Sequence, residues 1–316
     1  MRTLVTGANG FVGRVLTERL VAEGHSVVAA CGADCSQLSD IPDIDAINLE
    51  LTDPDSVRQA CVESYDAVVH LAGISSGTEA RRNPQIAWNI NATGTALLTE
   101  SISSCRDANG SDPTVLIVST AEVYGAGDGT PRRETDLVSP ASTYAASKLA
   151  AETAALAVYR RTGLKVVIAR AFPHSGAGQD DRFVLPAFAS RVFKAKAAGE
   201  TRVPVGNLNV VRECMHVGDV VAAYLCLIES GRPGEVYNVA SGRGISLLEL
   251  FDLVKGRARY PCEPEVDSGL MRAGDIDHLV GDSKKIERET GWRSVTSIEE
   301  VIAEVVGAEA QGAQLD

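Results

Sequence analysis

The stretch RTLVTGANGFVG, residues 2–13, decides how the rest of the chain is read. It opens with a short apolar run, which reads as a strand. Three glycines follow at once, Gly7, Gly10 and Gly13, and they lead into FVGRVLTERLVAEG, whose apolar residues recur with helical period. A strand that turns on glycines into a helix presents free backbone N–H groups and the positive end of a helix dipole. Both suit a pyrophosphate.

Further along, the same alternation repeats. The apolar runs HSVVAA (25–30), DAVVHLAG (66–73), TVLIVST (114–120) and KVVIARAF (165–172) are separated by helical stretches such as NATGTALLTESISSC (91–105). Continuous β-branched runs between helices indicate a parallel sheet covered on both faces. The expected fold class is α/β, a doubly wound parallel sheet of Rossmann type with a smaller C-terminal substrate-binding lobe. Residues 1–172 are expected to form the dinucleotide-binding domain and residues 173–316 mainly the lobe. Parts of about 209–240, including HVGDVVAAYLCLIES and GEVYNVAS, are expected to return to the sheet.

The chain has 316 residues, with 30 basic and 42 acidic side chains and a net charge of −12. An acidic surface of this kind argues against nucleic acid and anionic membranes as partners. An anionic small substrate would need a local group of arginines. No run of 18 apolar residues and no secretory segment precedes the first strand, so a cytoplasmic protein is expected. The seven cysteines are scattered without CxxC pairs. Reduced thiols are therefore expected, with neither a metal site nor a disulfide.

STYAASK, residues 142–148, opens an alanine-rich helix with Pro140 and Ser142 at its start and Gly163 at its end. Tyr144 and Lys148 are four apart and share a face. A lysine charge about 4 Å from a phenol, at an effective dielectric of ~20, favours phenolate by up to ~4 kcal/mol. That lowers the tyrosine pKa from ~10 and prepares it for proton exchange near neutrality. An arbitrary tyrosine–lysine pair is more often surface. Here the glycine turn shares the chain, and Thr120 ends a strand at the edge where such sheets bind ligands. The adenosine ribose calls for an acid after the second strand. Cys31 stands there, with Asp34 a little further on, and Arg14 is the nearest cation for a 2′-phosphate. These residues are compatible with NAD or NADP and select neither.

TGANGFVG, HLAG, STAEVYG and YAASK, in this order, resemble the extended short-chain dehydrogenase/reductases, the NAD(P)-dependent epimerases, dehydratases and reductases of nucleotide sugars. The resemblance spans nearly the whole chain. It implies catalytic roles for Thr120, Tyr144 and Lys148, and a cofactor lined by Gly7, Gly10, Phe11, Val12, Gly13, Glu50, Leu51, Leu71, Ala72, Gly73, Tyr144 and Lys148. It also implies a nucleotide-sugar substrate with its diphosphate near Arg212 and Arg272, and a homodimer through two long helices, one starting near Tyr144. By position in the chain, Tyr124 near Thr120 and His174 in the glycine-rich loop after Pro173 are candidates to meet the sugar. The C-terminal half is most similar to GDP-4-keto-6-deoxy-mannose reductases. Two positions depart from the family pattern. Pro173 stands where an asparagine touches substrate, and Glu50 replaces an aspartate beside adenine.

Reduction of a 4-keto sugar nucleotide is the expected reaction. The alternatives are a 4-epimerase, a 4,6-dehydratase using Glu122 as its extra acid/base, and a non-catalytic cofactor-binding protein. His70 reads as a packed core histidine and Asn91 as a structural or water-binding residue. Trp88 and Trp292 read as packing residues, and Ser119 as a substitute for Thr120 if the strand ends one residue earlier.

Overall fold

The computed structural model describes residues 1–32, 34–271 and 275–312. The strands are β1 (Arg2–Thr6), β2 (Ser26–Cys31), β3 (Ile44–Asn48), β4 (Ala67–His70), β5 (Thr114–Thr120), β6 (Lys165–Ala171), β7 (His174–Ser175), β8 (Arg202–Val205), β9 (Val211–Arg212), β10 (Met215–His216), β11 (Val236–Val239), β12 (Ile245–Ser246), β13 (Glu263–Val266) and β14 (His278–Leu279). The helices are α1 (Phe11–Ala22), α2 (Pro54–Ala60), α3 (Gly77–Arg82), α4 (Pro84–Ala87), α5 (Thr95–Asn109), α6 (Thr143–Thr162), α7 (Val184–Ala198), α8 (Val217–Ser230), α9 (Leu247–Ala258), α10 (Lys284–Thr290) and α11 (Ile298–Gly312).

Seven strands form one parallel sheet in the order β11-β6-β5-β4-β1-β2-β3. This is the doubly wound arrangement, and strand order reverses between β1 and β4. Successive side chains of a strand point to opposite faces. Val5, Val27, Ala29, Val69 and Leu116 therefore pack under α1 and α8, through Leu16, Leu20, Val220, Tyr224 and Leu227. Leu4, Val28, Ala30, Val68, Val115 and Ile117 face α2, α5 and α6 on the other side, through Val57, Leu98, Ile102, Ala155 and Val158. Burial on both faces is the reason these strands read as unbroken apolar runs.

A second core lies toward the C-terminus. Phe188 and Val192 of α7, Phe251 and Val254 of α9, and Val301 and Val305 of α11 pack together over Val203 and Val205 of β8. Phe188 and Phe251 meet edge to face at 5.4 Å. Strand β11 joins the main sheet beside β6, and α10 packs against it. Ile286 of α10 and Trp292 join the same core.

Two expectations are corrected here. Cys31 and Cys35 are joined as a disulfide, with Cα atoms 5.6 Å apart, because the loop after β2 doubles back on the strand end. Trp88 is not a packing residue: it is 42% exposed, at the start of a π-helical stretch, Trp88–Gly94, that leads into α5. No described helix is long and apolar enough to cross a membrane.

Candidate active site

The ends of β1 to β6 meet along one edge of the sheet, and the first glycine turn lies at the reversal point. Gly7 leaves β1 with φ of 69°, a left-handed conformation that side chains disfavour. A Cβ there would stand 2.7 Å from the Ala72 nitrogen, so the turn packs directly on the chain leaving β4. At Gly13 an added Cβ would lie 2.1 Å from the Gly7 carbonyl oxygen. The bare backbone lets α1 press against the turn, and no side chain caps the helix at Gly10. The N–H groups of the first turn, around Phe11 and Val12, thus suit an external anion.

The walls of this cradle come from the neighbouring strand ends. Leu71 N donates to Thr6 O and Ala72 N to Thr6 Oγ1, both at 3.2 Å. Gly73 leaves space for the Asn91 amide, whose Oδ1 would lie 2.7 Å from an added Cβ. Leu51 is buried against Gly94. The Glu50 carboxylate accepts from Thr52 N (3.0 Å) and Thr52 Oγ1 (2.7 Å), which hold it below the usual carboxylate range. Side chains at Gly7 and Gly13 would collide with the backbone of the turn and of the chain after β4, so the tight turn depends on these glycines, and its free N–H groups fit a dinucleotide pyrophosphate.

The structure brings Thr120, Glu122, Tyr144 and Lys148 together. Ser142 caps α6 by accepting from Ala145 N at 3.1 Å, which starts the helix where Tyr144 reaches the end of β5. The Tyr144 phenol is hydrogen-bonded with the Thr120 hydroxyl, and Glu122 acts on the same phenol through space. Thr120 Oγ1 also accepts from Glu122 N at 3.2 Å. Burial raises the phenol pKa above its ordinary value, Glu122 raises it further, and the Thr120 bond works the other way. This corrects the expectation of an acidified tyrosine: removing a phenolate from water, with Glu122 nearby, outweighs the Thr120 bond. Lys148 is buried one turn along, and burial lowers its pKa to about 8, with Glu152 working to raise it.

Behind these residues lies a buried polar layer. Ala72 N donates to Thr6 Oγ1, which lies 2.7 Å from His70 Nδ1. His70 Nε2 lies 3.0 Å from Thr95 Oγ1, which donates to the Asn91 carbonyl at 2.6 Å. With Thr95 already donating, the His70 proton sits on Nε2 and the ring is neutral; burial pushes its pKa down to about 3. The Asn91 amide accepts from Ile74 N and donates to Ser147 Oγ, tying the π-helical stretch to α6. Ser119 is not an alternative to Thr120, because its hydroxyl donates to Glu152. Glu152 in turn accepts from Arg170, from Nε at 3.0 and 3.3 Å on its two oxygens and from Nη2 at 2.7 Å.

Sequence reasoning missed Glu152 and Arg170. Each carried a signal: an acid one turn beyond Lys148 on a packed face, and an arginine inside the apolar run KVVIARAF. Charged residues at such positions need buried partners.

The expected substrate residues are placed unevenly. Tyr124 does not line an open pocket. It is 1% exposed, its hydroxyl donates to Asn238 Oδ1 at 2.6 Å, and its ring lies under Arg170. His174 is half-buried; Nδ1 donates to Phe172 O at 2.9 Å, and burial lowers its pKa, so Nε2 is an acceptor. Pro173 accepts from Met215 N through its carbonyl, which joins the loop after β6 to β10. Arg212 donates to Asp275 Oδ1 at 2.7 Å and to the Val211 carbonyl. Arg272 lies outside the described residues.

Fold and site together are those of the extended short-chain dehydrogenase/reductases, NAD(P)-dependent enzymes. The profile described as GDP-mannose 4,6 dehydratase matches residues 4–305. The chain is 34% identical to the GDP-6-deoxy-D-mannose reductase of Pseudomonas aeruginosa over 308 residues, 96% of each chain. It superimposes on the structure of RMD from Pseudomonas aeruginosa complexed with NADPH with a TM-score of 0.85, at 32% identity, covering 98% of this chain and 99% of that one. The Thermus thermophilus UDP-glucose 4-epimerase complexed with NAD superimposes with a TM-score of 0.86, at 28% identity, covering 98% and 99%. The chain belongs to the GDP-mannose 4,6-dehydratase family.

Proposed function

We propose that this enzyme reduces the 4-keto group of a nucleotide-linked deoxysugar, with GDP-4-keto-6-deoxy-mannose as the first substrate to test. The observation that carries the reading is the placement of Tyr144 on α6, beside the Thr120 hydroxyl at the end of β5 and one turn before the buried Lys148. Reduction needs a proton donor at the new alkoxide, and a phenol held there, protonated at neutral pH, can supply it. The similarity to the Pseudomonas reductase over 96% of the chain supports the same reaction.

In this reading, Gly7, Gly10, Phe11, Val12 and Gly13 hold the pyrophosphate, and Glu50, Leu51, Leu71, Ala72 and Gly73 line the adenosine and nicotinamide ends. The nicotinamide, when bound, supplies the hydride to sugar C4. Tyr144 gives its phenolic proton to the C4 oxygen. Thr120 donates a hydrogen bond to the same oxygen and positions it against the phenol. Lys148, charged below about pH 8, stabilises the phenolate left behind. His174 Nε2 accepts from a sugar or ribose hydroxyl, and Arg212 and Arg272 meet the diphosphate. Tyr124 has no direct part.

Glu122 beside the phenol also favours a second reading, 4,6-dehydration, in which its carboxylate moves the proton at C5. The test is incubation of pure protein with NADH or NADPH and GDP-, UDP- and dTDP-4-keto-6-deoxy sugars, following nicotinamide absorbance. Oxidation of the dinucleotide with one of them is expected. In a parallel incubation with NAD or NADP and GDP-mannose, loss of water from the sugar with no net change in the dinucleotide would replace reduction by dehydration. We also infer a homodimer through α5 and α6. Light scattering at twice the 33.3 kDa chain mass is the expected result, and a monomer at assay concentrations would refute it.

A further inference from the structure

We propose that this chain selects NAD(H) over NADP(H) at the end of β2, where Asp34 meets the adenosine ribose and Arg14 is already paired. The inference rests on the cofactor site of the proposed function and names which dinucleotide that site takes.

A dinucleotide lying on a glycine turn places its adenosine ribose beside the end of the second strand. Here the chain after Cys31 folds back toward that turn. Asn9, between Gly7 and Gly10, donates from Nδ2 to the Asp34 carbonyl at 3.0 Å. The Cys31–Cys35 bridge closes the same loop. The Asp34 carboxylate is oriented by its neighbour: Oδ1 accepts from Ser36 N at 2.8 Å and Oδ2 from Ser36 Oγ at 2.6 Å. An ionised carboxylate has about four acceptor sites, so two remain for the ribose hydroxyls. The same carboxylate repels a 2′-phosphate, which carries roughly −1.5 to −2 charge near neutrality.

A 2′-phosphate site needs a cation, and Arg14 is the nearest. Its guanidinium is engaged on every side: Nε pairs with Glu18 at 2.9 Å, Nη1 donates to the Gln37 carbonyl, and Nη2 pairs with Asp40. Two carboxylates neutralise one charge, and both would have to be displaced for a phosphate to replace them. No lysine or arginine occurs from Cys31 to Val57, a stretch that carries Asp34, Asp40, Asp43, Asp45, Glu50, Asp53 and Asp55. Of these acids, Asp34 and Glu50 follow the ends of β2 and β3 and border the adenosine end with negative charge, whereas Asp45 lies at the other edge, paired with Arg2.

The test is fluorescence titration of the full chain with NADH and with NADPH, without sugar nucleotide. NADH is expected to bind on the order of tenfold more tightly or better, as like charges at this range in water imply. Asp34→Arg is expected to close or reverse that gap. Arg14→Gln is expected to leave the NADPH-to-NADH ratio unchanged. NADPH binding as tightly as NADH, an unaltered ratio in Asp34→Arg, or a selective loss of NADPH in Arg14→Gln would each overturn the proposal while leaving the cofactor site standing. Failure of both dinucleotides to bind would remove the cofactor site and the proposal together.

Discussion

At Tyr144 two effects compete, and their sizes decide the chemistry. The Thr120 hydrogen bond favours phenolate, but burial and Glu122 favour the phenol, and they prevail. Under the proposed reduction the acid is thus ready at neutral pH, and the titrating partner is Lys148. Its charged form is present below about pH 8 and lost above it. We expect kcat/KM for reduction to be level through neutrality and to fall as pH rises through about 8; a profile with no break there would contradict this role. Glu152 works to raise the Lys148 pKa, so Glu152→Gln should move the break to lower pH. Tyr144→Phe should lower turnover by roughly 10²- to 10⁴-fold while dinucleotide binding, read by fluorescence, persists. Undiminished turnover in that variant would end the case for Tyr144 as proton donor.

Helix α6 carries Tyr144 and Lys148, so its seating on the sheet sets the site. Its ends were readable from the chain alone: Ser142 caps the start, and Gly163, at φ of 73°, ends it in the left-handed region. These are local effects, decided within one turn. Its attachment was not readable. Glu152 reaches Ser119 on β5 and Arg170 on β6, residues 33 and 18 positions away. The β5–α6–β6 crossover closes that gap. Arg170→Met leaves Glu152 buried without its cation and should destabilise the protein by about 3–5 kcal/mol in urea unfolding. Glu152→Leu combined with Arg170→Met should lose less than Arg170→Met alone. A larger loss in the double variant would mean that the carboxylate is not stranded by removing the arginine.

Across the molecule, the sheet and the C-terminal segment are joined by buried acids. Asp219, in the first turn of α8, accepts from Ser294 Oγ, Val295 N and Thr296 N through Oδ2, and from Thr296 Oγ1 through Oδ1. Its carbonyl accepts from Trp292 Nε1 at 2.9 Å. This anchors the chain just before α11. Asp219→Ala strands these donors and should cost about 1–3 kcal/mol. A lowered melting temperature, with earlier proteolysis before α11, is the expected readout; an unchanged melt would show that water replaces the carboxylate without loss. Glu213 makes a comparable junction, accepting from Ser241, Gly242 N and Gly281 N, and so fixes the loops that follow β11 and β14.

The amino-acid sequence by itself determined the run of parallel strands, the glycine turn and the ends of α6, because periodicity, caps and tight turns act over a few residues. It also marked Thr120, Tyr144 and Lys148 as a group, since each stands at a strand end or on one helix face. Only the tertiary structure decided which way Tyr144 titrates, that Tyr124 is enclosed, that Arg212 pairs with Asp275, and that Cys31 meets Cys35. Desolvation and the pairing of distant side chains set those outcomes, and both depend on what the fold places around a residue.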